Sequence, residues 1–105
     1  MANNFRSYGL SNVTANTSLY TVPLGTQTTA IGLVIANRTN GTVTTNVSIT
    51  RASNTYYMIQ QAPIVTGSSL VLIGGDQKVV LQANDSVSIS SSANTDAWIS
   101  VLEIS

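Results

Sequence analysis

The residues able to do chemistry in this chain are few. Its 105 residues include no histidine and no cysteine, four acids (Asp76, Asp85, Asp96 and Glu103) and four bases (Arg6, Arg38, Arg51 and Lys78). Without histidine, the commonest general base and the commonest metal ligand are both missing. Serine and threonine are plentiful, but a hydroxyl becomes a nucleophile only beside a base and an orienting group. What remains is a Ser–Lys arrangement around Lys78, and Lys78 stands at the start of a predicted strand, where lysine usually points into water. The sequence therefore predicts a protein that is not an enzyme and has no catalytic residue.

Two other constellations fall short. Gly74-Gly75-Asp76 has the start of a phosphate loop, but Lys78 follows too closely and no helix comes after it. A tight hairpin turn is the simpler reading. Asp76, Asn84 and Asp85 would bring three oxygens to a calcium ion that takes roughly 6–8, and turn preference alone accounts for Asp and Asn there. No cofactor and no metal are expected. Four cations balanced by four anions make no basic patch, so nucleic acid is not an expected partner.

The aromatic residues point instead to contact. Phe5 and Tyr8 stand out in a polar N-terminal stretch, Tyr56 and Tyr57 are adjacent, and Trp98 shares its segment with Leu102 and Ile104. Tyrosine and tryptophan are favoured at interfaces. Adjacent tyrosines in a strand are expected to send one ring into the core and one outward. These seven residues are the candidate interface. A coplanar set drawn from Trp98, Tyr56 and Tyr57 would alternatively form a sugar-stacking platform.

Composition agrees with a molecule that binds rather than reacts. Only 8% of residues are charged and the net charge is zero, against about 25% charged in typical soluble domains. Ser, Thr and Asn wet the surface in their place. Such a surface repels copies of itself weakly, which favours packing against one another or against a partner. The start carries no apolar run of signal-peptide length. No stretch approaches the ~18 apolar residues of a membrane span. The expectation is a cytoplasmically made protein with no membrane partner.

The elements that must position these residues are strands. Residues 1–16 are polar and irregular and read as an N-terminal arm, either frayed or laid on a neighbouring subunit with Phe5 and Tyr8 as anchors. Residues 17–105 read as a single domain. Ser18–Val22 is β-prone and stops at Pro23. Ala30–Ala36 is a continuous apolar run suited to a strand covered on both faces. Asn40-Gly41 is the strongest hairpin signal, since both residues tolerate the positive φ of a type I′ turn. Val43–Thr50 alternates, with Val43, Val47 and Ile49 on one face. Ser53-Asn54 is the next turn, strands follow at Thr55–Gln60, Ser69–Ile73, Lys78–Gln82, Ser86–Ser90 and Ala97–Ile104, and Pro63 marks a strand end or edge.

About eight short strands with turns between them predict an all-β fold: a two-sheet antiparallel β-sandwich, jelly-roll-like or immunoglobulin-like, with an extended N-terminal arm. The last strand is apolar on both faces, Ala97, Ile99 and Val101 on one and Trp98, Leu102 and Ile104 on the other. A two-layer sandwich hides only one face, so either the chain's own arm or loop covers the second, or another chain does.

The C-terminal half also resembles a known class of protein. Ala62-Pro63-Ile64-Val65-Thr66-Gly67-Ser68-Ser69-Leu70, then Gly74-Gly75-Asp76-Gln77-Lys78-Val79-Val80-Leu81, then Asn84-Asp85-Ser86-Val87, then the Val101-Leu102-Glu103-Ile104 finish resemble small virion structural proteins of tailed bacteriophages, cyanophages among them. The resemblance covers roughly residues 55–105, and more weakly Val22 to Ile49, and carries no catalytic residues. It implies a non-enzymatic particle component made in the host cytoplasm and located in the virion. The expected role is a capsid decoration (cement) protein that binds the major capsid protein as a homo-oligomer, trimeric on a threefold site. A neck, tail or fibre-base component is the alternative within that class, and a carbohydrate-binding β-sandwich module the alternative outside it.

Overall fold

A computed structural model describes residues 3–74 and 78–105. The described residues form nine strands: β1 (Asn3–Val13), β2 (Thr17–Thr21), β3 (Gln27–Asn37), β4 (Val43–Arg51), β5 (Asn54–Ile64), β6 (Ser69–Ile73), β7 (Val79–Leu81), β8 (Ser86–Ser91) and β9 (Thr95–Ile104). One sheet has the order β1-β9-β3-β6, with β7 also on β3. The other has the order β2-β8-β4-β5. Every pairing is antiparallel.

β6 and β7 both run antiparallel to β3 along the same edge, β6 against Leu33–Ala36 and β7 against Thr28–Ala30. They are two pieces of one interrupted strand. Counted so, the sandwich has eight strands in jelly-roll order, which selects between the two sandwich types the sequence left open. The turn expected at Gly74-Gly75-Asp76 falls largely on residues 75–77, outside the described residues. The strands flanking it share a direction and are not the two arms of a hairpin.

Alternation builds the core. Ala30, Leu33 and Ile35 of β3 and Ala97, Ile99 and Val101 of β9 meet Val43 and Val47 of β4 and Val87 and Ile89 of β8. The clean Ser/apolar alternation of β8 survives intact, its valine and isoleucine buried and its intervening serines half-buried. In β3 only one face is fully buried; Ile31, Val34 and Ala36 on the other are half-exposed.

Two turn readings change. Asn40-Gly41 does not close a hairpin, because β3 and β4 lie in different sheets and neither residue has a positive φ. The segment is a crossover organised by Asn37. The Asn37 amide donates to the carbonyls of Gly41 and Ile64, both at 2.8 Å, while its oxygen accepts from the Thr39 backbone N–H at 2.8 Å. The two-residue hairpin with both residues at positive φ is instead Ala52-Ser53 (φ 51° and 67°), between the paired residues Arg51 and Asn54. The flanking pairing imposes that geometry on residues with no preference for it.

The N-terminal stretch also differs from the irregular arm its polarity suggests. β1 pairs with β9 from Asn3 to Leu10 and again at Val13. Its partner strand supplies the order that its own sequence does not. It remains peripheral, since only Leu10 and Val13 of its eleven residues escape full exposure.

Few charges exist, and they are spent inside the chain. All three arginines pair with acids: Arg6 with Glu103 (3.0 Å), Arg38 with Asp96 (3.6 Å) and Arg51 with Asp85. Asp85 is 1% exposed. It accepts from Arg51 Nε at 2.8 Å and from the Gln82 backbone N–H at 2.8 Å, tying the end of β4 to the β7–β8 turn. Asp85 is thereby committed to an internal tie, while Asp76 lies outside the described residues; among the described residues no group of three His, Cys, Asp or Glu side chains gathers. Glu103, 7% exposed, accepts from Arg6 on β1 and, at 2.6 Å, from the Tyr20 hydroxyl on β2. Tyr20 is also bonded to Thr28 at 2.8 Å. At the other end of β9, the Thr45, Ser91 and Thr95 hydroxyls form a buried chain with 3.0 Å links, and its Ser91–Thr95 link joins the two sheets.

Removing the Asp85 carboxylate strands its donors, so Asp85→Ala is expected to lower stability by about 2 kcal/mol, read as a shift of the urea midpoint. The two ties also set a pH window. Burial, and then the bond to Glu103, push the Tyr20 hydroxyl well above its ordinary pKa of 10.0, so the unfolded chain loses that proton first. Stability is intact below pH 10.0 and falls as pH rises past it. The Arg51 hydrogen bonds hold Asp85 below its ordinary 3.8, so the unfolded chain takes up the proton first and stability falls as pH drops through that value. Urea midpoints measured across pH should show a plateau that declines at both ends; Tyr20→Phe should blunt the alkaline decline.

Candidate interface on the outer face of the larger sheet

Residues directly opposite each other in an antiparallel pair share a face. The register therefore lays out the outer face of the β1-β9-β3 sheet in rows. One row is Phe5, Leu102, Thr29 and Val80; another is Gly9, Trp98, Val34 and Val71; a third is Asn3, Ile104 and Gln27. Phe5, Trp98, Val71 and Val80 are all largely exposed. Between the apolar rows lie Ser7, Ser100 and Gly32. Along β9 the face carries a single charge, Asp96.

Trp98 shows how the face is built. It is 52% exposed, and among the described residues no other element crosses over it. Its ring leans sideways onto β1, where Gly9 makes room. A Cβ at Gly9 would come within 2.6 Å of Cε3 and 2.8 Å of Cζ3. The indole thus covers the bare backbone of a neighbouring strand, as aromatic residues do opposite a strand glycine. A shallow groove runs beside the ring, lined by Leu10, Ser11, Val34 and Ala36.

Of the seven residues singled out from the sequence, four share this face: Phe5, Trp98, Leu102 and Ile104. Tyr8 is on the opposite side of β1, its ring centroid 5.1 Å from that of Tyr20. Tyr56 and Tyr57 are in the other sheet, on β5. The expected division of that pair, one ring in and one out, does not occur; both are 57% exposed. β5 is the outer strand of its sheet, packs extensively only on β4, and carries two register shifts with Gln61 at φ 56°. Nothing lies opposite to receive a ring. This placement also separates Trp98 from the tyrosines, so the three do not form one stacking platform. Val34, Val71 and Val80 joined the face unannounced. Their positions follow from register across three strands, which a single strand's alternation does not reveal.

Comparison with known proteins gives one informative result. No protein-family model matches the chain, and no curated protein is detectably similar. A solved structure from Bacillus endospore appendages, which form a family of disulfide-linked pili, is similar in fold, with a TM-score of 0.56 at 14% identity over 99% of this chain and 87% of that one. At that identity the likeness is one of fold: the jelly-roll sandwich.

The Gly9–Trp98 contact is testable in solution. Gly9→Ala should displace the indole into solvent, red-shifting its emission, and cost about 1 kcal/mol of stability, while Gly32→Ala, whose Cβ would meet only ordinary contacts at 3.8 Å, should leave the emission unchanged.

Proposed function

We propose that this protein is a non-enzymatic structural subunit of a multi-copy assembly, acting as a capsid decoration protein of a tailed phage that binds the outer capsid surface as an oligomer. The observation that carries this reading is the outer face of the β1-β9-β3 sheet, where apolar rows stand open to solvent with one charge along β9. Monomeric proteins rarely leave contiguous apolar patches larger than a few hundred Å². A contact on a neutral face is also one that salt barely screens. The resemblance of residues 55–105 to small virion proteins supplies the phage context.

A second reading has its own support. The similar solved structure belongs to a pilus, so a jelly-roll subunit of a fibre is the alternative form of the same assembly role. This chain has no cysteine, so a fibre made of it would be held without disulfides.

Both forms need the face, and the double variant Val71→Asp/Val80→Asp tests it. The two side chains are largely exposed, so the urea midpoint should hold within about 0.5 kcal/mol. Light scattering should show the parent chain associating and the variant monomeric. A parent chain that stays monomeric at high concentration and does not co-sediment with phage capsids would defeat the proposal. Gel densitometry of purified particles then separates the forms: hundreds of copies per particle for decoration, a dozen or fewer for a neck or tail part.

A further inference from the structure

We infer that the edge of β9 is a strand-acceptor site for the β1 segment of a second copy of this chain, so that copies link by exchanging residues 3–10 about a hinge at Ser11-Asn12. This goes beyond the assembly role above and does not depend on which face meets a partner.

The hinge is visible in the backbone. The β1–β9 register runs without a break from Asn3 to Leu10, then shifts before Val13. Asn12, inside the shift, has φ 54°, a left-handed conformation that asparagine adopts more readily than most non-glycine residues; its backbone N–H donates to Asp96 Oδ1 at 3.0 Å and its side-chain oxygen accepts from Arg38. Immediately after it the chain is fixed: Val13 is buried, and the Thr14 carbonyl accepts from the Ser91 N–H at 2.9 Å. The segment before the hinge buries little surface of its own. None of Asn3–Gly9 is buried, and Leu10 is only half-buried. Detaching this segment takes little apolar surface from the core.

The acceptor, by contrast, is demanding. It offers three features in sequence along one edge. Glu103, nearly buried, takes the Arg6 guanidinium at 3.0 Å. Tyr20 takes the Tyr8 ring. Trp98 overhangs the one position where a Cβ has no room. An open β9 edge would leave a carboxylate in the sandwich without its cation, a costly state, and a row of unpaired backbone groups. The strand that satisfies all three features has the pattern Arg-x-Tyr-Gly-Leu, which this chain itself carries at residues 6–10. In the structure this chain's own β1 fills the edge, so an edge vacated at the hinge is matched by β1 of another copy. Exchange re-forms every contact of the closed monomer, so it costs little beyond association.

Cysteine pairs on the full chain test this, since it has no thiol of its own. Ser7 and Ser100 are register partners on the outer face. Paired Cα atoms in such ladders lie about 4.5–5.5 Å apart, within the range of about 4.4–6.8 Å that a disulfide spans. Ser7→Cys and Ser100→Cys are made separately, unfolded together in urea, refolded together at high concentration and oxidised. Exchange predicts a disulfide-linked heterodimer several-fold above the dimer from either variant alone. The double variant Ser7→Cys/Ser100→Cys, refolded dilute, should close its own disulfide as a monomer and so show that the geometry permits the bond. A mixture that stays monomeric while the double variant closes overturns the inference. Equal dimer from Ser100→Cys alone also overturns it, since that bond needs only face-to-face contact. Asn3→Cys with Ile104→Cys, the paired row at the strand end, repeats the test should the first pair fail to fold.

Discussion

A carboxylate buried between two sheets needs donors from both, and Glu103 finds them. Its three partners in the network come from three different places: Arg6 on β1, Tyr20 on β2, and through Tyr20 the hydroxyl of Thr28 on β3. Hydrophobic burial is non-directional and brings the sheets together without fixing how they slide. The Glu103 network at one end of β9 and the Thr45-Ser91-Thr95 hydroxyls at the other supply the missing direction. Among the described residues, no buried side-chain nitrogen or oxygen is left without a partner. Fully satisfied networks of this kind tend to specify one arrangement.

The same economy shapes the outside. With so few charges in the chain, and every arginine engaged by an acid, the outer face of the larger sheet is left to valine, tryptophan, phenylalanine, serine and threonine. Its lack of charge and its apolar rows have one origin in composition. The internal ties do the work of orientation, and the exposed face carries along β9 only the charge of Asp96, which Arg38 pairs.

Much of this architecture was legible in the residue order. The alternation in Ser86–Ser90 identified β8 and its buried face, and the double apolar character of Ala97–Ile104 identified a strand with an uncovered side. Pro63 announced an edge strand, and β5 is one. What escaped was non-local. Asn40-Gly41 has hairpin chemistry, yet Asn37 reaches across the sheets and the loop becomes a crossover. The turn expected at Ser53-Asn54 lies one residue earlier, at Ala52-Ser53, because Arg51 and Asn54 pair and impose it there. The N-terminal stretch looks shapeless because its order comes from β9, over 80 residues away in sequence. Nothing local marks Glu103 and Asp85 as inward, because the arginines that pair them lie 97 and 34 residues off.

The split between β6 and β7 has a consequence for solubility. A neutral, Thr-rich sandwich has little charge to keep its sheet edges from zipping onto those of other molecules, the route by which such chains aggregate. Here the far border of the larger sheet is cut into runs of five and three residues. β2 offers five residues and a register slip, and β5 breaks its run with Pro63 and two slips. These three irregular borders do the protective task that lysines perform in more highly charged proteins, without adding a charge, while β1, paired without a break from Asn3 to Leu10, remains a long regular edge.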